Sequence, residues 1–565
     1  TQAKTLFPYT TLFRSKGRDW IGIYPIRGKI LNTRNATPLA ISKNTVICEI
    51  IQILGLQQSL DYTLDENYNK LRYGRLLIIT DADVDGFHIS GLIQNFFHSL
   101  YPSLLERKEA FITSMQTPLV RVYDDRQNIL FYDERDFKKY VEGYRKVSNK
   151  KINCKYYKGL GASKKQDVIE TFGRKTIQFT KTENDSNTFV KVFHKNFTNQ
   201  RKEWLENYDP LDIKLEWSRG NDYETKTLSF DDFINTEMIK FSISDCERSL
   251  PNLIDGFKEG HRKVLFGCFK KKIKYSGKVI KVAQLAGIVA DISAYHHGEQ
   301  NLYKTITHMA SQYVGCNNIP LLYRDGQFGS RAEGGKDAAN ARYISTKIDM
   351  LTRLIFREED EPILTYREDD GRKVEPEFYV PIIPMICVNG CITGIGTGWS
   401  CNIPCYNPVD IVECIRIWIK SGYKAFEEDK DDDIKVSLFP EIKPWYRGFT
   451  GEIKFVMEGK YLTYGRIEET KNGCHVSELP IGMWISEFED NLAALKEEKT
   501  IKDYKNHSDP DKVDFTIIQQ PNTEFELNLK NLKLISALST RNMVLFDDNH
   551  KLKRYSSIDS IDRKS

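Results

Sequence analysis

Residues 76–100 read LLIITDADVDGFHISGLIQNFFHSL, and two hydrophobic periods meet in that stretch. Leu76 to Thr80 is a short continuous apolar run, the pattern of a buried parallel strand. Beyond it, Leu92, Ile93, Phe96, Phe97 and Leu100 return at helical spacing. A strand followed by a helix places Asp81, Asp83 and Asp85 in the loop at the strand's carboxyl end, where α/β sheets carry their sites. Asp at the first, third and fifth positions with Gly at the sixth also opens a calcium EF-hand loop. That loop needs a bidentate glutamate at its twelfth position, where this chain has Leu92, and a helix before it, where this chain has a strand. The calcium reading fails on both counts. Three crowded carboxylates repel one another unless a cation neutralises them, and hard oxygen donors suit Mg2+. The alternative is a solvated acidic loop.

Farther along, CKYYKGLGASKKQDVIETF at 154–172 predicts an aromatic strand, a turn at Gly159 and Gly161, and a helix with Ser163 as its N-cap. The first region is therefore α/β. From Asp231 onward the texture is helical, through ERSLPNLIDGFKEGHRKVLFGCFKK and VAQLAGIVADISAYHHGEQNLYKTITHMA. Basic helices joined by short turns suit a helix-turn-helix or winged-helix module. Beyond Pro381, strand-like runs such as GFTGEIKFVMEGKYLTYGRIEE mix with helices such as VDIVECIRIWIKSG, which predicts an α+β domain. The fold class is multidomain α/β and α+β.

A chain of 565 residues exceeds what one hydrophobic core organises, and 40% hydrophobic with 28% charged residues is the composition of a globular protein. No apolar run of ~18 residues occurs, so no membrane partner is expected. No signal-peptide pattern opens the chain, and an intracellular compartment is expected. The eleven cysteines are scattered, which fits reduced thiols better than a disulfide framework. Cys387, Cys391, Cys401 and Cys405 form two CxxxC pairs, but the Gly-rich segment between them reads as packed loop and strand rather than a zinc site. A net charge of +4 says little about nucleic acid, whereas its distribution says more. Arg262, Lys263, Lys270, Lys271, Lys272, Lys274, Lys278 and Lys281 are interleaved with Phe266, Phe269 and Tyr275, either a nucleic-acid face or a solvated helix face. The acidic run Glu427 to Asp433 reads as an exposed loop.

Residues 5–15, TLFPYTTLFRS, lack the periodicity of the segment after them and match one reading frame of a common sequencing adapter. DRKS at 562–565 matches a frame of the reverse adapter. Residues 1–15 are set aside as an adapter-like artefact.

The acidic stretch resembles the TOPRIM motif of type IIA DNA topoisomerases. YPIRGKILNTRNA at 24–36 and KYYKGLGASK at 155–164 are similar to two further TOPRIM-region motifs of the eukaryotic-type enzyme. RSLPNLIDGFKEGHRKVLFGCFKK, KVAQLAGIVADISAYHHGEQNL and GQFGSRAEGGKDAANARYIST resemble its winged-helix breakage domain. IPMICVNGCITGIGTGWSCNIP and PWYRGFTGEI extend the resemblance into the tower domain, so it covers Gly17 to about Ser557. It implies a TOPRIM domain at 16–180, truncated at its N-terminus, a connecting segment at 181–235 and a winged-helix DNA breakage domain at 236–380. A tower domain at 381–540 and the truncated start of a C-gate region at 541–565 complete the order. An acidic site and a tyrosine on one chain point to the eukaryotic or large-DNA-virus branch, with the nucleus or a cytoplasmic viral factory as location.

By the same resemblance Tyr343, in NARYIST, attacks a DNA phosphodiester and forms a 5′-phosphotyrosyl link that keeps the bond available for religation. Arg342 and His297, preferred over His296, are implied to stabilise the transition state, with Arg248 and Lys281 around the scissile phosphate or its neighbours. Mg2+ held by Asp81, Asp83 and Asp85 is implied to stabilise the leaving 3′-oxygen. The family places a further metal-binding glutamate upstream of YPIRGKILN, where this chain has its adapter-like residues, so the chain alone is expected to be impaired in cleavage. Arg27, Lys29, Asn32 and Lys158 are implied contacts to the DNA backbone. Ile395, in GIGTGW, matches the isoleucine that wedges between base steps. Just before it, Cys391-Ile392-Thr393 is one residue longer than the family pattern. The intact parent is implied to be an ATP-dependent homodimer acting on double-stranded DNA, with the ATPase region outside this chain. The rival readings are a magnesium-dependent TOPRIM nuclease and a non-catalytic DNA-bending protein.

Overall fold

The computed structural model describes residues 21–561 except 124–127, 148–151, 158–162, 210–213, 370, 423–425, 429–433, 438, 522 and 559. They fall into two compact units, residues 1–245 and 246–565.

In the first unit, strand β1 (Leu76–Ile79) runs parallel to β2 (Ile112–Met115), with Leu76 opposite Ile112. Next, β3 (Val120–Tyr123), β4 (Asn128–Phe131) and β5 (Cys154–Tyr156) form a separate antiparallel sheet in the order β4-β3-β5. Then β6 (Lys175–Thr180) and β7 (Glu224–Ser229) complete the first sheet, whose order is β1-β2-β6-β7. The unbroken apolar run predicted a strand covered on both sides. Among the described strands β1 is an edge, and its two faces differ, with Ile78 buried and Leu77 on the opposite face 39% exposed. Helix α1 (Val84–Leu100) follows β1 and buries Leu92, Ile93, Phe96 and Phe97 in a core shared with Phe111, Ile177, Phe179, Phe189 and Phe230.

The helix after the glycine turn is Lys165–Thr171, and Ser163 does not cap it. Lys164 is the N-cap residue, and its backbone N–H donates to the Asp167 carboxylate at 3.0 Å. That carboxylate also accepts from Lys155 Nζ at 2.6 Å and from the Tyr157 hydroxyl at 2.9 Å. A carboxylate inside the first turn has replaced the serine as acceptor. Gly159 and Gly161 lie outside the described residues.

A π-helical turn, Ile234–Met238, leads into α2 (Ile239–Ser249). The second unit continues with α3 (Glu259–Lys270), β8 (Ile280–Lys281), α4 (Val282–Ile292), α5 (Glu299–Ala310), β9 (Leu322–Asp325) and β10 (Ser345–Ile348). The three strands form an antiparallel sheet in the order β8-β10-β9, with Ser345 opposite both Lys281 and Asp325. Two hairpins come next, β11 (Tyr366–Asp369) with β12 (Arg372–Pro376) and β13 (Cys391–Ile395) with β14 (Ser400–Ile403). In the second of these Cys391 faces Ile403 but Gly394 faces Cys401, so β13 carries one extra residue as a β-bulge. The bulge falls within the stretch that holds Cys391-Ile392-Thr393. After helix Pro408–Lys420, strands dominate. A four-stranded antiparallel sheet from Arg466 to Gln519 packs on helix Ile485–Glu497 around Phe488, Leu492 and Phe515.

Burial divides the basic run. Arg262 is 4% exposed, with Nε 2.7 Å from Asp255 Oδ2, and Lys263 lies 2.8 Å from Glu375 and donates to the Ser293 carbonyl at 2.9 Å. These two charges fix α3 in place and are not available to DNA. Lys270, Lys271, Lys272, Lys274, Lys278 and Lys281 are exposed. All eleven cysteines are free thiols. No helix among the described residues is long and apolar enough to cross a membrane.

Candidate active site

Tyr343 stands on a turn that begins at Asn340. The Asn340 carbonyl accepts the Tyr343 N–H at 2.8 Å, and its side-chain Oδ1 accepts the Arg342 N–H at 3.2 Å. The junction of β8 and α4 grips the same turn. Lys281 Nζ donates to the Tyr343 carbonyl at 2.9 Å, the Val282 N–H to Ile344 at 3.0 Å and the Ala283 N–H to Ala341 at 3.0 Å. The last two belong to the first turn of α4, whose N–H groups have no partners within the helix. The Tyr343 side chain is left 65% exposed, with the Arg342 guanidinium 4.9 Å from the ring centroid. A phenol that is accessible, on a braced backbone and beside a cation, has what a nucleophile toward an anionic ester requires.

Arg248 and His297 form a second set. Arg248 lies in the last turn of α2, with Nη1 3.5 Å from His297 Nε2. A guanidinium only donates, so this contact requires Nε2 as acceptor and the proton on Nδ1. His296 instead places Nε2 2.9 Å from Asp369 Oδ2 on the β11-β12 hairpin. Of the two histidines, His297 therefore sits in the more positive field, and an incoming phosphate would meet it with an arginine.

In the acidic loop, Asp83 is the N-cap of α1, its Oδ1 accepting the Gly86 N–H at 2.8 Å. A Cβ on residue 86 would stand 2.3 Å from the Asp81 carbonyl and 2.9 Å from Thr80 Oγ1, so only glycine lets the loop close onto the helix start. Asp85 lies 2.9 Å from Lys29 Nζ. That ammonium also sits 3.9 Å over the Phe241 ring, which stacks on His88 at 3.8 Å. Lys29 is thus held within the unit by Asp85. Asp81 lines a small cavity with Thr80, Gln116, Thr117 and Glu237. Among the described residues no three His, Cys, Asp or Glu side chains converge as a closed metal cage would need. Mg2+ keeps several waters and takes one or two carboxylates, so it does not require such a cage.

Arg27 is exposed. Asn32 is committed to the fold: Nδ2 donates to the Phe193 carbonyl at 2.9 Å, and Oδ1 accepts from Asn95 at 3.0 Å and from the Arg34 N–H at 3.1 Å. It organises the turn at Thr33–Asn35, where Arg34 reaches His98 Nδ1 at 2.8 Å. Burial, then Arg34 and Lys181, push the His98 imidazole down to about 4, which keeps Nδ1 free to accept. Lys158 lies outside the described residues.

Ile395 is 74% exposed at the tip of the β13-β14 hairpin. The stalk packs closely. A Cβ on Gly396 would stand 3.0 Å from Cys246 Cα, and one on Gly394 would stand 3.1 Å from the Ser249 carbonyl, so the hairpin rests on the end of α2 that carries Arg248. Lys258 Nζ, which the sequence did not single out, ties the hairpin to α3 through the Thr393 carbonyl at 3.0 Å. Among the described residues these cysteines, Cys387, Cys391, Cys401 and Cys405, do not gather into a group that could hold a metal. Cys401 hydrogen-bonds Cys391, which lowers the Cys391 thiol, and Cys405 Sγ donates to the Asn389 carbonyl at 3.0 Å.

Comparison with known proteins agrees across both units. The family model for the DNA gyrase/topoisomerase IV A subunit matches residues 248–563, and that for the C-terminal associated domain of TOPRIM matches residues 115–246. The chain is similar to a DNA topoisomerase 2 of Invertebrate iridescent virus 6, 42% identical over 98% of this chain and 48% of the relative. It is equally similar to a DNA topoisomerase 2 of Saccharomyces cerevisiae, 42% identical over 96% of this chain and 37% of the relative. It thus spans about half the length of these relatives or less. Among solved structures, the DNA-binding, cleavage and re-ligation domain of Plasmodium falciparum topoisomerase II superposes with a TM-score of 0.79 at 39% identity, over 100% of this chain and 74% of that one.

Proposed function

The chain belongs to the DNA gyrase/topoisomerase IV family, that of the type IIA DNA topoisomerases, and from that membership we propose that it is the DNA cleavage and religation part of a longer enzyme. The observation that carries this reading is the exposed Tyr343 on its braced turn beside Arg342. The phenol oxygen attacks the phosphorus of a DNA phosphodiester while the 3′-oxygen leaves. The resulting 5′-phosphotyrosyl ester stores the bond, and return attack by the 3′-hydroxyl reseals it. Arg342, with Arg248 and His297, stabilises the extra negative charge of the transition state. Mg2+ on Asp81 and Asp83, when bound, supplies electrostatic stabilisation of the leaving oxygen, and Asp85 is already paired with Lys29.

Helices α3 to α5 with the β8-β10-β9 sheet support a winged-helix module, and the mixed, strand-rich region 381–540 supports a tower. Exposed Lys270 to Lys278 supply phosphate contacts, and Ile395 acts as a wedge that bends the duplex. ATP-driven strand passage, a homodimer, and a place in the nucleus or a viral factory go with the longer protein.

The test is to incubate the chain with supercoiled double-stranded DNA and Mg2+, denature, and score protein attached to 5′ ends. Attachment is expected, at the reduced level implied by the residues that stand in place of the upstream glutamate, and Tyr343→Phe should abolish it. Attachment surviving that substitution would overturn the reading. Breaks without attached protein would favour a nuclease, and bending without breaks a DNA-bending protein.

A further inference from the structure

Lys281 does not act on DNA alone. We infer that it is a positioning residue for Tyr343, orienting the nucleophile through the Tyr343 backbone carbonyl. The inference rests on the reading of Tyr343 as nucleophile and adds what aims it. With the phenol 65% exposed, the direction of its Cα–Cβ bond is set by the peptide planes on either side. On the N-terminal side the Asn340 carbonyl fixes the Tyr343 N–H. Before it the Ala341 carbonyl is held by the Ala283 N–H, and after it the Ile344 carbonyl by the Val282 N–H, while the Tyr343 carbonyl itself is held by the Lys281 ammonium at 2.9 Å. Lys281 is itself pinned opposite Ser345 in the sheet, so the reach of its side chain starts from a fixed point. An ammonium carries three donors, which allows one to hold the carbonyl while the charge still faces an approaching phosphate.

The two roles separate experimentally. A simple phosphate contact contributes affinity and a salt slope of about 0.9 per phosphate. A positioning residue contributes to the chemical step, where a misplacement of ~1 Å costs on the order of 10²-fold. Lys281→Met and Lys281→Arg should be compared with the unaltered chain in single-turnover attachment to a nicked duplex at saturating DNA, together with the affinity at several salt concentrations. A 3-fluorotyrosine placed at position 343 gives a fluorine resonance that reports the ring's environment without DNA.

Lys281→Met is expected to slow attachment at saturating DNA by ~10- to 100-fold, beyond whatever affinity and salt dependence it loses with the charge, and to shift or broaden the fluorine line. Lys281→Arg, with donor and charge restored, is expected to recover most of the rate. An unchanged rate with weaker, less salt-sensitive binding would reduce Lys281 to a phosphate contact and overturn the inference. If the unaltered chain forms no attachment at all, the nucleophile reading falls. The fluorine line then decides this inference by itself, and identical lines for the two proteins would overturn it.

Discussion

Two adjacent histidines of the same type take different roles because of what each faces. His296 meets the Asp369 carboxylate, whereas His297 meets the Arg248 guanidinium. His297→Ala should therefore slow single-turnover DNA attachment by ~10²-fold, the scale of losing one transition-state donor, while His296→Ala should slow it much less. Equal losses would refute the assignment of His297. The resemblance placed the pair, but the division of labour depends on Asp369, which lies far along the chain. Arg262 and Lys263 show the same limit. In sequence they look like Lys270 and Lys271, and only their partners Asp255 and Glu375 make them structural. Removing one partner of such a buried pair typically costs about 3–5 kcal/mol, whereas an exposed lysine on the same helix costs little.

Among the elements, the passage from β1 through the acidic loop into α1 was the most legible, because the hydrophobic period changes there from strand to helix. Its internal logic was not. Gly86 read only as the sixth position of an acidic pattern, yet the fold needs it because the loop backbone folds against the helix start. Gly86→Ala should lose about 1–3 kcal/mol of stability through crowding and weaken Mg2+ binding, as read by urea unfolding and by calorimetric titration. Unaltered Mg2+ binding in a folded variant would break the link between that close approach and the metal. The cap of helix Lys165–Thr171 misled for a related reason, since Ser163 was one residue too early and Asp167 supplied the acceptor from inside the turn. The edge position of β1 could not be read from its composition, because edge or centre is decided by which strands arrive later.

At the scale of the whole molecule, each unit holds histidines that folding keeps neutral. His98 is pushed down to about 4 by burial and by Arg34 and Lys181, and His261 to about 3 by burial and by His308, Lys258 and Arg262. Burial and Lys258 lower His308 as well. A folded value below the ordinary 6.5 means the unfolded chain takes up protons first as pH falls. The stability contribution is complete above about pH 6.5 and is lost progressively as pH falls, toward about 4 for His98 and about 3 for His261. Urea midpoints should therefore drop from neutral to mildly acidic pH, and a flat profile over that range would show that these rings are not held neutral. This acid sensitivity was invisible in the sequence, where ten histidines carry no mark of burial. The division into helical and strand-rich regions was visible, because it rests on local periodicity.

The bulge in β13 settles a question of parity. Along a pleated strand, one added residue exchanges inside for outside at every later position. Here the odd residue is spent between Cys391 and Gly394, and from Gly394 onward the strand is back in phase with its partner. Ile395 therefore keeps the outward side although β13 spends one more residue than β14 to reach it. The length of that lead is a freedom the hairpin can use, whereas the direction of its tip is not.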